Sequence, residues 1–259
     1  MTVQPSPAAH AVPAARDILG TAVTPFGLNE AVALLERMLA EKRFTAVSFL
    51  NAHNANIAAR DPDFARTLKS FVVLPDGIGV DIASKVLYGA PFPANLNGTD
   101  FVPAFLSTVK RPLTVALLGT TRDYAEAAAQ SFARVAPQHR FVFLHDGFFT
   151  GDQEPAVLAK IAQTKPDVLL VAMGVPRQEL WIAKNITSDH CTVPIAVGAL
   201  LDFMSGAVPR APLMVRKLRM EWMYRLAVEP RRLFARYVLG NPVFLLRVLK
   251  QRLLQGKAA

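Results

Sequence analysis

Six short runs of nearly uninterrupted apolar residues recur along the chain: FTAVSFL (44–50), FVVL (71–74), LTVALLG (113–119), FVFL (141–144), DVLLVAMG (167–174) and PIAVG (194–198). Continuous apolarity, rather than strict alternation, marks strands covered on both faces, as in a parallel sheet between two layers of helices. Before and between these runs, residues 28–41, 54–69, 123–135, 155–164 and 177–186 carry apolar positions at helical spacing. Asp61-Pro62, Asp123 and Pro176 suit helix starts. The alternation predicts a doubly wound, Rossmann-like α/β core over residues 18–208, with a mostly parallel sheet.

After Pro209 the strand pattern stops. Residues 213–228, 230–239 and 242–255 have helical spacing, with breaks expected at Pro230 and at Gly240-Asn241-Pro242. In the last segment Val243, Phe244, Leu246, Leu249 and Leu253 share a side, flanked by Arg247, Lys250 and Arg252. Two readings fit this pattern: a helix lying in a membrane interface, or one packed on the sheet with its long cations reaching out to water. Residues 1–17 are rich in Pro and Ala and read as a disordered lead-in, not a signal peptide.

Charge sharpens the division. The 259-residue chain carries a net +9, yet residues 1–208 sum to −1, and residues 209–259 hold 12 Lys+Arg against two Asp+Glu, a net of +10. A basic helical appendage over 209–259 is therefore expected to meet an anionic partner. Within it, EWMYRLAVEPRRLFARY (221–237) sets Arg225, Arg231, Arg232 and Arg236 among Trp222, Tyr224, Phe234 and Tyr237. That mixture suits a contact both apolar and anionic. The single cysteine, Cys191, excludes an intrachain disulfide, and no run of about 18 uncharged apolar residues predicts a membrane span.

In open α/β sheets, ligands sit at the carboxyl ends of the strands. The ends here are polar and glycine-rich: Asn51, Asp76-Gly77, Gly119-Thr120, Asp146-Gly147, Gly174, Gly198 and Asp202. Gly119 and Gly174 each follow a strong strand and precede a helix, so their loops can offer backbone N–H groups to phosphate. Neither forms a full phosphate-loop motif, and turn formation explains a lone glycine more often. Asp76 is a candidate general base or a turn and cap residue. Gln178 is placed to bond a ligand, and Glu179 to bond one or to favour a helix dipole. Asp61-Pro62-Asp63 spells a possible metal motif but reads as a helix cap. The five histidines lack ligand spacing, so no metal is expected.

Together PDGIG, NGTD, LLGTT, HDGFF, VAMGVPRQE, VGALLDFMSGAVPRAP and the 221–237 tail resemble, in order and spacing, the WecG/TagA/CpsF glycosyltransferases (glycosyltransferase family 26) over about residues 18–250. The resemblance implies an inverting, metal-independent enzyme without a cofactor. Its co-substrate would be a UDP-sugar, supplying N-acetylmannosamine or glucose to a polyprenyl-pyrophosphate-linked sugar. The work would take place at the inner face of the cytoplasmic membrane, in cell-surface polysaccharide synthesis. It further implies Asp76 as general base, Asn51 and Gln178 in the pocket, and Arg210, Arg225, Arg231 and Arg232 near diphosphate or membrane. Gly77, Gly119, Thr120, Gly174, Glu179 and Asp202 complete the expected substrate site, and Arg236 the expected diphosphate site. Two positions depart from the family's habit: Phe49 replaces a threonine and Asn95 an arginine.

A basic, non-catalytic membrane- or nucleic-acid-binding protein on the same core is the alternative. It would leave the strand-end pocket without a role, so no nucleic-acid partner is expected. Oligomeric state is open.

Overall fold

The computed structural model describes residues 13–258, except 213 and 216–219. The expected lead-in therefore lies mostly outside the described residues, and the helix expected over 213–228 lies partly outside them. Two short strands, β1 (Arg16–Ile18) and β2 (Thr21–Val23), pair antiparallel as a hairpin. The hairpin starts inside the stretch expected to be disordered. The Arg16 guanidinium ties it down by bonding Ser84 Oγ and the carbonyls of Ala90 and Pro91.

The body is a six-stranded, all-parallel sheet of β3 (Val47–Leu50), β4 (Val72–Pro75), β5 (Thr114–Gly119), β6 (Arg140–His145), β7 (Val168–Ala172) and β8 (Val193–Ala196), in the order β4-β3-β8-β7-β5-β6. All six predicted strands are present. Side chains alternate between two separate cores, as the pleat requires. Along β7, Leu169 and Val171 enter one core and Val168 and Leu170 the other.

The first core is closed by α2 (Ala52–Ala58), α3 (Pro62–Leu68), α4 (Ile78–Tyr88), α7 (Glu154–Thr164) and α8 (Arg177–Asn185). The second is closed by α1 (Leu28–Ala40), α5 (Gly98–Thr108), α6 (Arg122–Val135) and α9 (Leu200–Ser205). The single helix expected over 54–69 is two, because Asp61 breaks it and caps α3, its carboxylate accepting from the N–H groups of Asp63 and Phe64 at 3.0 Å.

After residue 220 come α10 (Glu221–Val228), α11 (Pro230–Phe234), a π-helical turn (Ala235–Leu239) and α12 (Gly240–Ala258). The chain breaks before Pro230 as expected, but Gly240-Asn241-Pro242 does not stop the helix. The wider turn absorbs the proline, whose missing N–H would otherwise disrupt the ladder, and Gly240 N–H bonds back to Ala235 O.

The compositional boundary at 209 is not the edge of the packed core. Phe244 and Val248 of α12 are buried in the first core, against α2 and α4. Asn56 bonds Gly240 O at 2.7 Å and accepts from Arg247 at 2.8 Å, while Gln251 bonds the hairpin at Leu19 and Asp17. The packed reading of this helix holds for Phe244 and Val248. One side is core, and the other leaves Leu246, Leu249, Leu253 and Leu254 exposed.

Candidate active site

The ends of β3, β4, β7 and β8 open into a cavity of about 1360 Å³, roofed by the 220–245 segment. Asn51, directly after β3, caps α2 by accepting from Asn54 N–H and also donates to Asp76 Oδ2 at 2.9 Å. Asp76 follows β4, and the next residue, Gly77, turns the chain at φ +89°, a conformation side chains rarely adopt. The Gly77 N–H donates to Asn95 Oδ1 at 2.7 Å. The Asn95 amide therefore braces the loop carrying Asp76.

Asp76 faces this cavity beneath the roof. Burial pushes its carboxyl above the ordinary range, opposed by the Asn51 bond and by the charges of Arg236 and Arg225. Burial and Arg236 together depress His53, at the cavity wall, to about 4.

A second polar knot joins β3, the first turn of α8 and the loop after β8. Glu179 is fully buried, and its Oε1 accepts from Ser48 Oγ at 3.0 Å and from Gln178 Nε2 at 2.9 Å. Gln178 Oε1 accepts in turn from Gly198 N–H at 3.1 Å. Both side chains are committed inward, so their first task is to register the strand ends. Burial raises Glu179 to about 7, against the pull of the Gln178 and Ser48 bonds. The folded protein keeps this proton where the unfolded chain has released it. The resulting stability is present below the ordinary carboxylate range and is lost as pH rises through about 7. Between pH 5 and pH 8 the wild type should lose about 2–3 kcal/mol that Glu179→Gln does not, measured by urea unfolding at both values. Parallel pH dependence in the two proteins would show that Glu179 is ionised throughout.

The expected site residues separate by position. Asn51, Asp76, Gly77, Gly174, Gln178, Glu179 and Asp202 line the cavity, as do Arg225, Arg232 and Arg236 of the roof. Gly119, Thr120, Arg210 and Arg231 do not. Gly119 is required for packing: a Cβ there would lie 2.2 Å from Ala172 O, so β5 could not approach β7. Thr120 sits behind the wall and bonds Asp202 Oδ1 at 2.5 Å. Arg231 is exposed on the outer surface.

Arg210 ties the roof to α5 and does not line the cavity. It donates to Asp100 at 2.8 Å and to Glu221 at 3.1 Å, joining α5 to the start of α10. Its guanidinium stacks on the Phe203 ring at 5.5 Å, and Arg225 stacks on the same ring at 5.2 Å. Loss of these charge-assisted bonds in Arg210→Ala, worth about 1.5 kcal/mol, should speed amide exchange in 221–228 about tenfold. Unchanged protection there would separate Arg210 from the roof.

Local sequence reading missed His53, Phe203, Thr99 and Asp100 as wall residues. His53 had a signal, a run of polar side chains in NAHNAN opening a helix. Phe203 had none. Trp222 and Tyr237 were visible as tail aromatics, but the structure turns both into the cavity wall, 5.9 Å apart. Among the described residues no three His, Cys, Asp or Glu side chains converge as metal ligands, and no helix is long and apolar enough to cross a membrane.

The family model of the WecG/TagA/CpsF glycosyl transferases matches residues 16–258. The chain belongs to that family. This transferase is 31% identical over 228 residues to the N-acetylglucosaminyldiphosphoundecaprenol N-acetyl-beta-D-mannosaminyltransferase of Bacillus subtilis strain 168, covering 86% of its own length and 87% of the relative. The Bacillus spizizenii protein of the same name is 31% identical over 202 residues, 77% of each chain. The Staphylococcus aureus NCTC 8325 protein of that name is 32% identical over 181 residues, 70% of this chain and 69% of the relative. The matched region of the family model takes in α12, in keeping with its place in the transferase's core.

Proposed function

We propose that the enzyme moves a hexosyl group, N-acetylmannosamine or glucose, from a UDP-sugar to a sugar carried on polyprenyl pyrophosphate. The observation that carries this reading is the placing of a carboxylate and a cluster of guanidinium groups in one cavity: Asp76, bonded to Asn51, beneath Arg225, Arg232 and Arg236. The names of the relatives support the acceptor class.

In this mechanism Asp76 takes the proton of the acceptor hydroxyl. The oxygen attacks the anomeric carbon from the face opposite the diphosphate, and the bond from that carbon to the diphosphate oxygen breaks with inversion. UDP departs as an anion, and the roof arginines meet the charge that develops on it. These guanidiniums take the role a divalent ion serves elsewhere, so the reaction is proposed to need neither metal nor cofactor. The exposed leucines of α12, flanked by Lys250 and Arg252, suit the anionic inner face of the cytoplasmic membrane.

The test is a donor screen with a lipid-pyrophosphate sugar acceptor in EDTA, offering UDP-ManNAc, UDP-glucose, UDP-GlcNAc and UDP-glucuronate in turn. Transfer from UDP-ManNAc or UDP-glucose, seen as UDP release and product mass, is the expected result. Dependence on added metal would overturn the proposed role of the arginines. Transfer only from another nucleotide sugar would overturn the donor assignment.

A further inference from the structure

Four side chains of the cavity wall are apolar and still open to solvent: Ile78 (37% exposed) and Ile82 (40%) of α4, Met223 (45%) of α10 and Val238 (39%) of the π-helical turn. A sugar nucleotide has no hydrocarbon to lay against them. Large apolar groups left open at a cavity mouth mark a ligand that covers them.

Their order along the site is informative. Asp76 stands two residues before Ile78, and Ile82 is one helical turn further out on α4. On the roof Arg232 and Arg236 precede Val238, and Pro242 and Leu245 continue the wall. The same stripe, at spacings of three and four residues, passes to Leu249 (51%) and Leu253 (69%) on open surface. From enclosed to open, the Asp76 carboxylate and the Arg236 guanidinium come first, the four half-open apolar side chains next, and Leu249 and Leu253 last. A molecule matching that order has a reactive hydroxyl, then a diphosphate, then a hydrocarbon chain.

We propose that Ile78, Ile82, Met223 and Val238 form a subsite for the first isoprene units of the acceptor's chain, distinct from any contact of α12 with the bilayer. The proposal rests on the acceptor class given above and adds where the lipid leaves the enzyme. The chain runs between α4 and the π-helical turn, and the stripe through Leu249 and Leu253 carries it toward the membrane. The diphosphate stays beneath Arg232 and Arg236.

The test uses full-length enzyme in detergent without a bilayer, and two acceptors with the same sugar pyrophosphate, one bearing a methyl group and one a short prenyl chain. The wild type should prefer the prenyl acceptor at least tenfold in kcat/KM. Ile82→Ser and, separately, Val238→Ser should bring that ratio to within about twofold. Both positions are partly exposed, so serine is compatible with folding. Leu253→Ser, beyond the cavity, should keep the wild-type ratio while weakening sedimentation with anionic phosphatidylglycerol vesicles. Equal efficiency on the two acceptors in the wild type, or an undiminished ratio in both cavity variants, overturns the subsite and leaves the transferase reading standing. Absence of transfer to either acceptor, from any of the four donors, overturns both.

Discussion

Asp76→Asn is expected to fold normally and to lose roughly 10²–10⁴-fold in turnover, the usual range when a positioned general base is removed. The substitution keeps the shape of the side chain and an oxygen able to accept from Asn51, now 2.9 Å from the Asp76 carboxylate. It also removes a charge that burial disfavours and that Arg236 and Arg225 favour, two opposed effects, so thermal stability should change little. Rate should therefore separate from stability, and near-normal turnover would dismiss Asp76 as the base. The pH profile supplies a second check. A base must be ionised, so activity falls as pH drops through its pKa, here above the ordinary carboxylate value. Asn51→Ala removes the largest contribution opposing that rise and should move the acid limb to still higher pH.

Arg236→Gln should cost about 10²–10³-fold in kcat/KM, comparable with removing one donor from a preorganised anion site. Arg236 is mostly enclosed, and both burial and neighbouring Arg225 disfavour its charge. Among the described residues the Nε atoms of Arg225 and Arg236 have no hydrogen-bond partner. Two such cations side by side are stabilised by Asp76 and, in the proposed reaction, by diphosphate. Lysine at 236 should restore only part of the rate, since it lacks the planar fork. A readout independent of activity is His53, which Arg236 helps to hold at about 4. In Arg236→Gln its titration, followed by NMR, should move upward. A fixed His53 together with wild-type kinetics would place Arg236 outside the site. Point variants are needed here, because deleting 209–259 would also remove Phe244 and Val248 from the core.

Phe49 and Asn95 both have structural roles. Asn95 holds the Gly77 turn. The Phe49 ring packs on Phe101 and lies against Gly98, where even a Cβ would come within 3.0 Å of it. Both line the cavity, so the side of the pocket near Asp76 is shaped by an amide and an aromatic ring.

The sequence by itself determined the six parallel strands, the concentration of charge after residue 208 and the candidacy of Asp76. Apolar runs and charge counts are local quantities, and burial on both faces of a strand leaves its mark within five or six residues. The stretch after Asp76 was not legible as helix. There α4 has a nearly all-round apolar composition and α5 contains Pro103, both of which blur a helical period. The β1–β2 hairpin is too short to show alternation. Only the tertiary structure decided what Arg210 and Glu179 do. Asp100, which receives Arg210, lies 110 residues away, and Ser48, which donates to Glu179, lies 131 residues away. A side chain's polarity is written in the sequence, but its protonation, its partner and the face it turns to a cavity depend on which distant groups fold against it.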